Sequence, residues 1–350
     1  MDPLQMREKL YRIMTWCTAI FAVLCCILCV VYFQNITFFE THGKIGTLAQ
    51  QEQQALEQEN SRRLLAKKNI AVTIADKPQG MLAVPLQGKV EESQVSVREE
   101  FVQNKLVITI KEAAACIKEG TELVSDSAYM NGISIYQQKN DLILELYCNA
   151  MYAYQCQIDN QTLSFTFLDP AAVYEKSVVI YVPQGQKDRF TSEDWQKSIK
   201  ELATQNKCKI FLCSELQEDY TEEDVVAFAN RIHADSLLAI EVLENAESSK
   251  LTVLCNPTYF IPDFGSVDLG VILGEAVKTK TALPIIAVKA CSGENVIVAD
   301  AKIPSAKVEI SLSTGYLKSI ETEYSFYHAV MEALETTMMQ IISTQVDKSL

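Results

Sequence analysis

The chain has 350 residues, 48% of them apolar and 22% charged, which excludes a disordered or low-complexity protein and suffices for about two domains with cores of their own. Forty-five acidic residues against 31 basic ones give a formal charge of −14. No run of Lys and Arg exceeds the pairs Arg62-Arg63 and Lys67-Lys68, so the sequence argues for no nucleic acid as partner.

Ile13 to Phe33, IMTWCTAIFAVLCCILCVVYF, is 21 residues without a charge. At ~1.5 Å per residue it reaches across a ~30 Å hydrocarbon layer and reads as a transmembrane helix. Arg7, Lys9 and Arg12 precede it and Lys44 is the first basic residue after it, which places residues 1–12 in the cytoplasm and the bulk of the chain outside a cell membrane crossed once. The run exceeds the ~7–15 residues of a signal-peptide core, and no small-x-small cleavage site follows Phe33. Cys17, Cys25, Cys26 and Cys29 lie within it and read as apolar residues. The remaining cysteines are odd in number and lack C-x-x-C spacing, which argues against a disulfide framework or a cysteine zinc site. Cys148 and Cys156 could face each other across a hairpin, but two packed free thiols fit as well, and no bridge is expected.

Residues 34–69 follow as a polar helical stalk, because Thr47 to Lys68 is rich in Gln, Glu, Ala and Leu while Leu48, Leu56, Leu64 and Leu65 keep no heptad. From Ile70 the pattern becomes short β-prone runs, AVTIA, KLVITI, GISIY, DLILELY, AYQCQI and TLSFTF, separated by turn clusters. These predict a small all-β, sandwich-like domain over residues 70–170, with a helical turn at Ala113 to Lys118 and a close at Asp169-Pro170. Residues 171–350 then alternate, with strands at 177–182, 208–213, 235–243, 250–255, 283–288, 295–300 and 306–312 and helices at 191–206, 221–232, 266–279 and 321–345. Alternation of this kind means an α/β sheet whose strand ends build a site. Thr221-Glu222-Glu223-Asp224 marks a helix start, a threonine cap with three acids in the first turn.

Four local strings carry a resemblance. SVVIYVPQGQ stands where the zinc-dependent N-acetylmuramoyl-L-alanine amidases have V-V-I-D-P-G-H-G-G, and ANRIHADSLLAIEVLENA stands where they have A-N-x-x-x-A-D-L-x-x-S-I-H-x-N-A. GSVDLGVILGEAVKT resembles that family's helix after its third strand, and IPSAKVEI resembles its I-P-A-V-L-V-E strand. Such enzymes cut the bond between glycan and stem peptide in bacterial peptidoglycan. The resemblance implies an amidase-like mixed sheet flanked by helices, and it likens the preceding β domain to the AMIN-type modules that bind wall or partner.

The family holds its zinc with two His and one Glu, at ~2.0–2.2 Å, and leaves one position for water. Matched residue by residue, the first His falls on Gln184, the Glu on Glu193 and the second His on Glu241, so both imidazoles are missing. A Gln with two carboxylates is an oxygen-only set, better suited to Mg or Ca than to zinc. The family's general acid/base falls on Glu309, five residues after Pro304, although the expected Gly-aromatic pair appears only at Gly315-Tyr316. His42, His233 and His328 stand at no ligand position. The chain contains no G-x-S-x-G, P-loop or H-E-x-x-H string. The expectation is therefore a membrane-anchored, extracytoplasmic pseudoenzyme that binds peptidoglycan or an envelope partner without a metal. An active amidase with an oxygen-rich metal site and a purely structural envelope protein are the alternatives.

Overall fold

Alternation of apolar and polar residues shapes the first half of what the computed structural model describes, namely residues 67–343 apart from 160, 219, 257–259, 262–263, 292 and 294. The expected cytoplasmic segment, the transmembrane helix and most of the stalk lie outside the described residues, within which no helix is long and apolar enough to cross a membrane. Ten strands come first: β1 (Lys67–Asn69), β2 (Val72–Asp76), β3 (Met81–Pro85), β4 (Val95–Glu100), β5 (Lys105–Ile110), β6 (Thr121–Ser125), β7 (Met130–Gln138), β8 (Asp141–Cys148), β9 (Ala153–Asp159) and β10 (Thr162–Leu168). They form two five-stranded sheets, ordered β1-β7-β8-β5-β4 and β2-β6-β3-β10-β9. Leu106, Ile108 and Ile110 of β5, Leu142, Leu144 and Leu146 of β8, and Leu163 and Phe165 of β10 share one core, while the intervening Val107, Tyr136 and Ile143 make a small separate cluster. That is the two-residue period of a half-buried strand.

Three expectations change here. Lys67 to Asn69 extend as a strand beside β7 rather than continuing a stalk helix, and the next residue, Ile70, donates its N–H to Ile135 O at 2.9 Å. Ala113 to Lys118 forms turns, closed by Cys116 N–H to Ala113 O at 2.9 Å, and no helix. Cys148 and Cys156 do not share a hairpin: they lie on strands of different sheets, and both are free thiols.

The second half opens at α1 (Pro170–Val173), where Asp169 Oδ1 caps Ala171 N–H at 2.9 Å. It continues with β11 (Lys176–Tyr181), a 3-10 stretch Gln184–Phe190, α2 (Glu193–Gln205), β12 (Cys208–Leu212), α3 (Glu222–Arg231), β13 (Ser236–Ala246), β14 (Lys250–Cys255), β15 (Phe260–Ile261), β16 (Phe264–Gly265), α4 (Ser266–Thr281), β17 (Ile285–Ala290), α5 (Val296–Ala299), β18 (Ser305–Ser313) and α6 (Ile320–Ser343). The main sheet runs β12-β11-β13-β18-β14-β17, parallel at every step but β14 against β18. The strand expected at 295–300 is instead the helix α5, with Ala299 N–H on Asn295 O at 2.7 Å and Asp300 N–H on Val296 O at 3.0 Å. An apolar run of four residues fits either period, and β18 has a neighbour on each edge already, β13 and β14.

Leu238, Ile240 and Val242 of β13 and Ala306, Val308, Ile310 and Leu312 of β18 pack with residues of α2, α4 and α6 on one face of this sheet. Helix α4 lies close: a Cβ built on Gly274 would come within 2.6 Å of Val253 Cγ2, so glycine is what lets helix and sheet approach. Leu237 and Ala239 point to the opposite face and join the core of the β domain. There Phe101, just after β4, meets Phe211 of β12 at 5.3 Å and Phe228 of α3 at 5.0 Å between ring centroids. Lys209 Nζ pairs with Glu99 at 2.6 Å, and Lys105 pairs with Glu218. Residues 68–343 accordingly form one unit, in which one core runs from the β domain onto this face of the α/β sheet.

Candidate functional site

Register builds the site. In the parallel pair β13/β18, Ala239 lies beside Lys307 and Glu241 beside Glu309, and on the other side of β18 Leu254 faces Lys307 and Thr252 faces Glu309. Because Ala306, Val308 and Ile310 point toward the helices, strand alternation turns Lys307 and Glu309 to the opposite face, where Glu241 also emerges. A lysine here has an apolar strand on each side and little water.

The side chain of Lys307 is 4% exposed, and its Nζ lies 2.6 Å from Glu241 Oε2, 3.8 Å from Glu222 Oε1 and 3.9 Å from Glu309 Oε1. The three carboxylates are 26–29% exposed. A buried ammonium is thus roofed by acids that reach water. Glu222 arrives from the first turn of α3, whose start is set by reciprocal bonds between Thr221 and Asp224, 3.2 Å from Asp224 N–H to Thr221 Oγ1 and 2.9 Å from Thr221 N–H to Asp224 Oδ2. Tyr181, the last residue of β11, borders the same acids. Burial, then the negative field of Glu222 and Glu241, pushes its hydroxyl far above the ordinary tyrosine range, so it remains a neutral donor. Its ring meets that of Tyr220 edge-on at 6.2 Å, and Tyr220 donates its own hydroxyl to Val182 O at 2.8 Å.

Of the four positions matched to the family motif, Glu241 and Glu309 converge on Lys307. Gln184 sits half-buried at the head of the 3-10 stretch after β11. Glu193 stands exposed at the first position of α2, in a surface depression it shares with Lys197 and Lys200. His233 follows α3 with φ of 50°, His328 lies on α6 with its Nδ1 3.5 Å from Glu332, and His42 is outside the described residues. Among the described residues no three His, Cys, Asp or Glu side chains come together in a group that could hold a metal ion.

The zinc that the resemblance implies does not fit these residues. A divalent cation on Glu241 would share that carboxylate with an ammonium 2.6 Å from one of its oxygens, and the two like charges would repel where the lysine is almost wholly buried. Lys307, Glu222, Tyr181 and Tyr220 are not singled out by the motif. The available signal is local: in IPSAKVEI a lysine sits two residues before Glu309, hence on its face, in a strand whose other residues are apolar enough to be central.

Fold and site together define an α/β protein with a lysine-centred carboxylate cluster at adjoining strands of a mixed sheet. No protein-family model matches the chain, and no curated protein matches it. Solved structures do, among them several N-acetylmuramoyl-L-alanine amidases, at low identity. The catalytic domain of CwlV from Bacillus (Paenibacillus) polymyxa var. colistinus is 13% identical with a TM-score of 0.39, over 49% of this chain and 99% of that one. An amidase from Clostridium difficile 630 is 11% identical with a TM-score of 0.37, over 49% and 98%. The CwlD amidase of Clostridioides difficile, solved in complex with the GerS lipoprotein, is 14% identical with a TM-score of 0.32, over 47% and 100%.

Proposed function

We propose that residues 171–350 are a non-catalytic module of amidase-like fold that binds peptidoglycan or a protein of the cell envelope, held outside the membrane by a transmembrane helix at residues 13–33 and preceded by an AMIN-like β domain. The observation that carries this reading is the Lys307 ammonium on Glu241, with Glu309 and Glu222 beside it. A Glu241 held by a buried ammonium is poorly placed to help hold a metal, so the metal-activated water that the family's general base would deprotonate has no support beside Glu309. What the cluster can do is accept: three partly open carboxylates take hydrogen bonds from hydroxyl, amide and ammonium donors, all of which a glycan carrying peptides presents.

The test uses the full chain in detergent, mixed with insoluble peptidoglycan, with co-sedimentation, release of stem peptide and zinc content measured on the same preparation. Sedimentation with the wall, no peptide release and no stoichiometric zinc are expected. One zinc per chain with peptide release would replace the reading with an active amidase. Failure to sediment would leave a structural envelope protein or a protein partner.

A further inference from the structure

We infer that Lys307 is the resident cation of this site, a covalently attached ammonium that supplies the positive charge an amidase-like fold otherwise takes from a metal. The inference deepens the reading above and rests on it for the likeness of Glu241 and Glu309 to metal-site and acid/base positions. The charge itself is argued from geometry. Glu241 and Glu309 are register partners on adjacent strands, and Glu222 points in from α3, so three like charges gather over one patch of sheet. Like charges at this spacing are destabilising unless a cation lies among them. Lys307 Nζ is within 4 Å of all three, nearest to Glu241, and its stem is buried between β13 and β14. A lysine is well suited, since a flexible stem can lie along apolar strand surface and bring a compact point charge to the acids. The consequence is exclusion by occupation: a divalent ion at Glu241 would meet the like charge of an ammonium already seated there.

The variant Lys307→Met keeps the stem's length and apolar character and deletes the charge. Melting temperatures of the full chain in detergent are measured in chelator, in ZnCl2 and in CaCl2. Wild type should melt at the same temperature in all three. Lys307→Met should melt lower by roughly 5–10 °C in chelator, as expected when one partner of a buried ion pair is lost. Its deficit should be relieved by a second change, Glu241→Gln, which returns the cluster to its wild-type net charge. Relief supports the inference, and a deficit that the second change leaves in place overturns it. If Lys307→Met does not fold, the double variant decides. A folded double variant supports the inference, and an unfolded one means that the lysine acts through volume and overturns it. Lys307→Met as stable as wild type, or stoichiometric zinc in the wild type, also overturns it. None of these outcomes depends on whether the protein sediments with peptidoglycan, so failure here and failure of the functional reading are told apart.

Discussion

The side-chain amide of Gln186 is bonded twice to Val242, donating Nε2–H to its carbonyl at 2.6 Å and accepting its N–H on Oε1 at 2.9 Å. Strand β11 ends at Tyr181, and its register with β13 stops at Ala239, so Val242 has lost its strand neighbour on that side. Gln186 takes the missing neighbour's place. It holds the 3-10 stretch that carries Gln184 against the strand that carries Glu241.

Replacing Gln186 by Ala strands one donor and one acceptor beside a residue that is 3% exposed. A loss of about 1–3 kcal/mol is expected, the cost of leaving buried polar groups unpaired. Urea denaturation of variant and wild type measures it. An unchanged midpoint would mean that water replaces the amide at no cost.

Phe101 belongs by sequence to the β domain and by contact to the α/β half, through Phe211 and Phe228. Phe101→Ala should cost about 3–5 kcal/mol, as large aromatic deletions in a core do. It should also change the form of unfolding, from one cooperative transition to two, because the join between the halves weakens more than either half alone. Calorimetry of the variant distinguishes this from a uniform drop in melting temperature.

Alkaline stability should be set in part by Glu145, which accepts from Tyr136 at 2.9 Å and from Tyr147 at 2.8 Å. The bond to Glu145, then burial, pushes the Tyr147 hydroxyl up to about 12, while burial foremost and the same carboxylate raise Tyr136 further. Both folded values exceed the ordinary tyrosine value of about 10. The unfolded chain therefore releases these protons first, and their contribution, whole below pH about 10, is lost as pH rises through the folded values. The denaturation midpoint should fall from about pH 10 upward. In Glu145→Gln the tyrosinate absorbance of the folded protein should appear at lower pH.

The orientation proposed from Arg7, Lys9 and Arg12 predicts that protease added outside intact cells digests the domains and spares an N-terminal tag. Protection of the C-terminal half would reverse the topology.

Much of the fold was readable because its central strands are buried on both faces. Runs such as SVVIY and SLLAIEVL have few alternatives to a parallel strand between helices, and β11, β12, β13, β14 and β18 lie close to their expected positions. Two strands of the β domain, the edge strand β4 and the central β3, were less readable. VSVREE of β4 carries three charges in a row, and MLAVP of β3 ends on proline, so neither looked like a strand although both are paired. At the site, motif comparison finds Glu241 and Glu309, whose identities differ or persist at matched positions. It passes over Lys307, because a lysine at an unmatched position has meaning only once register puts it beside both acids. The same holds for Glu222, which at sequence level is no more than one of three acids opening a helix.

The apolar core shared across the join has a consequence for how such a chain can be inherited. Cut between α1 and β11, each half would show water an aromatic face, Phe101 on one side and Phe211 with Phe228 on the other. Recombination that exchanged one half for a relative's would separate rings that pack together here. Exchange of either half alone is therefore expected to leave these rings mispacked, and substitutions at Phe101 should track those at Phe211 and Phe228 across any lineage that keeps both.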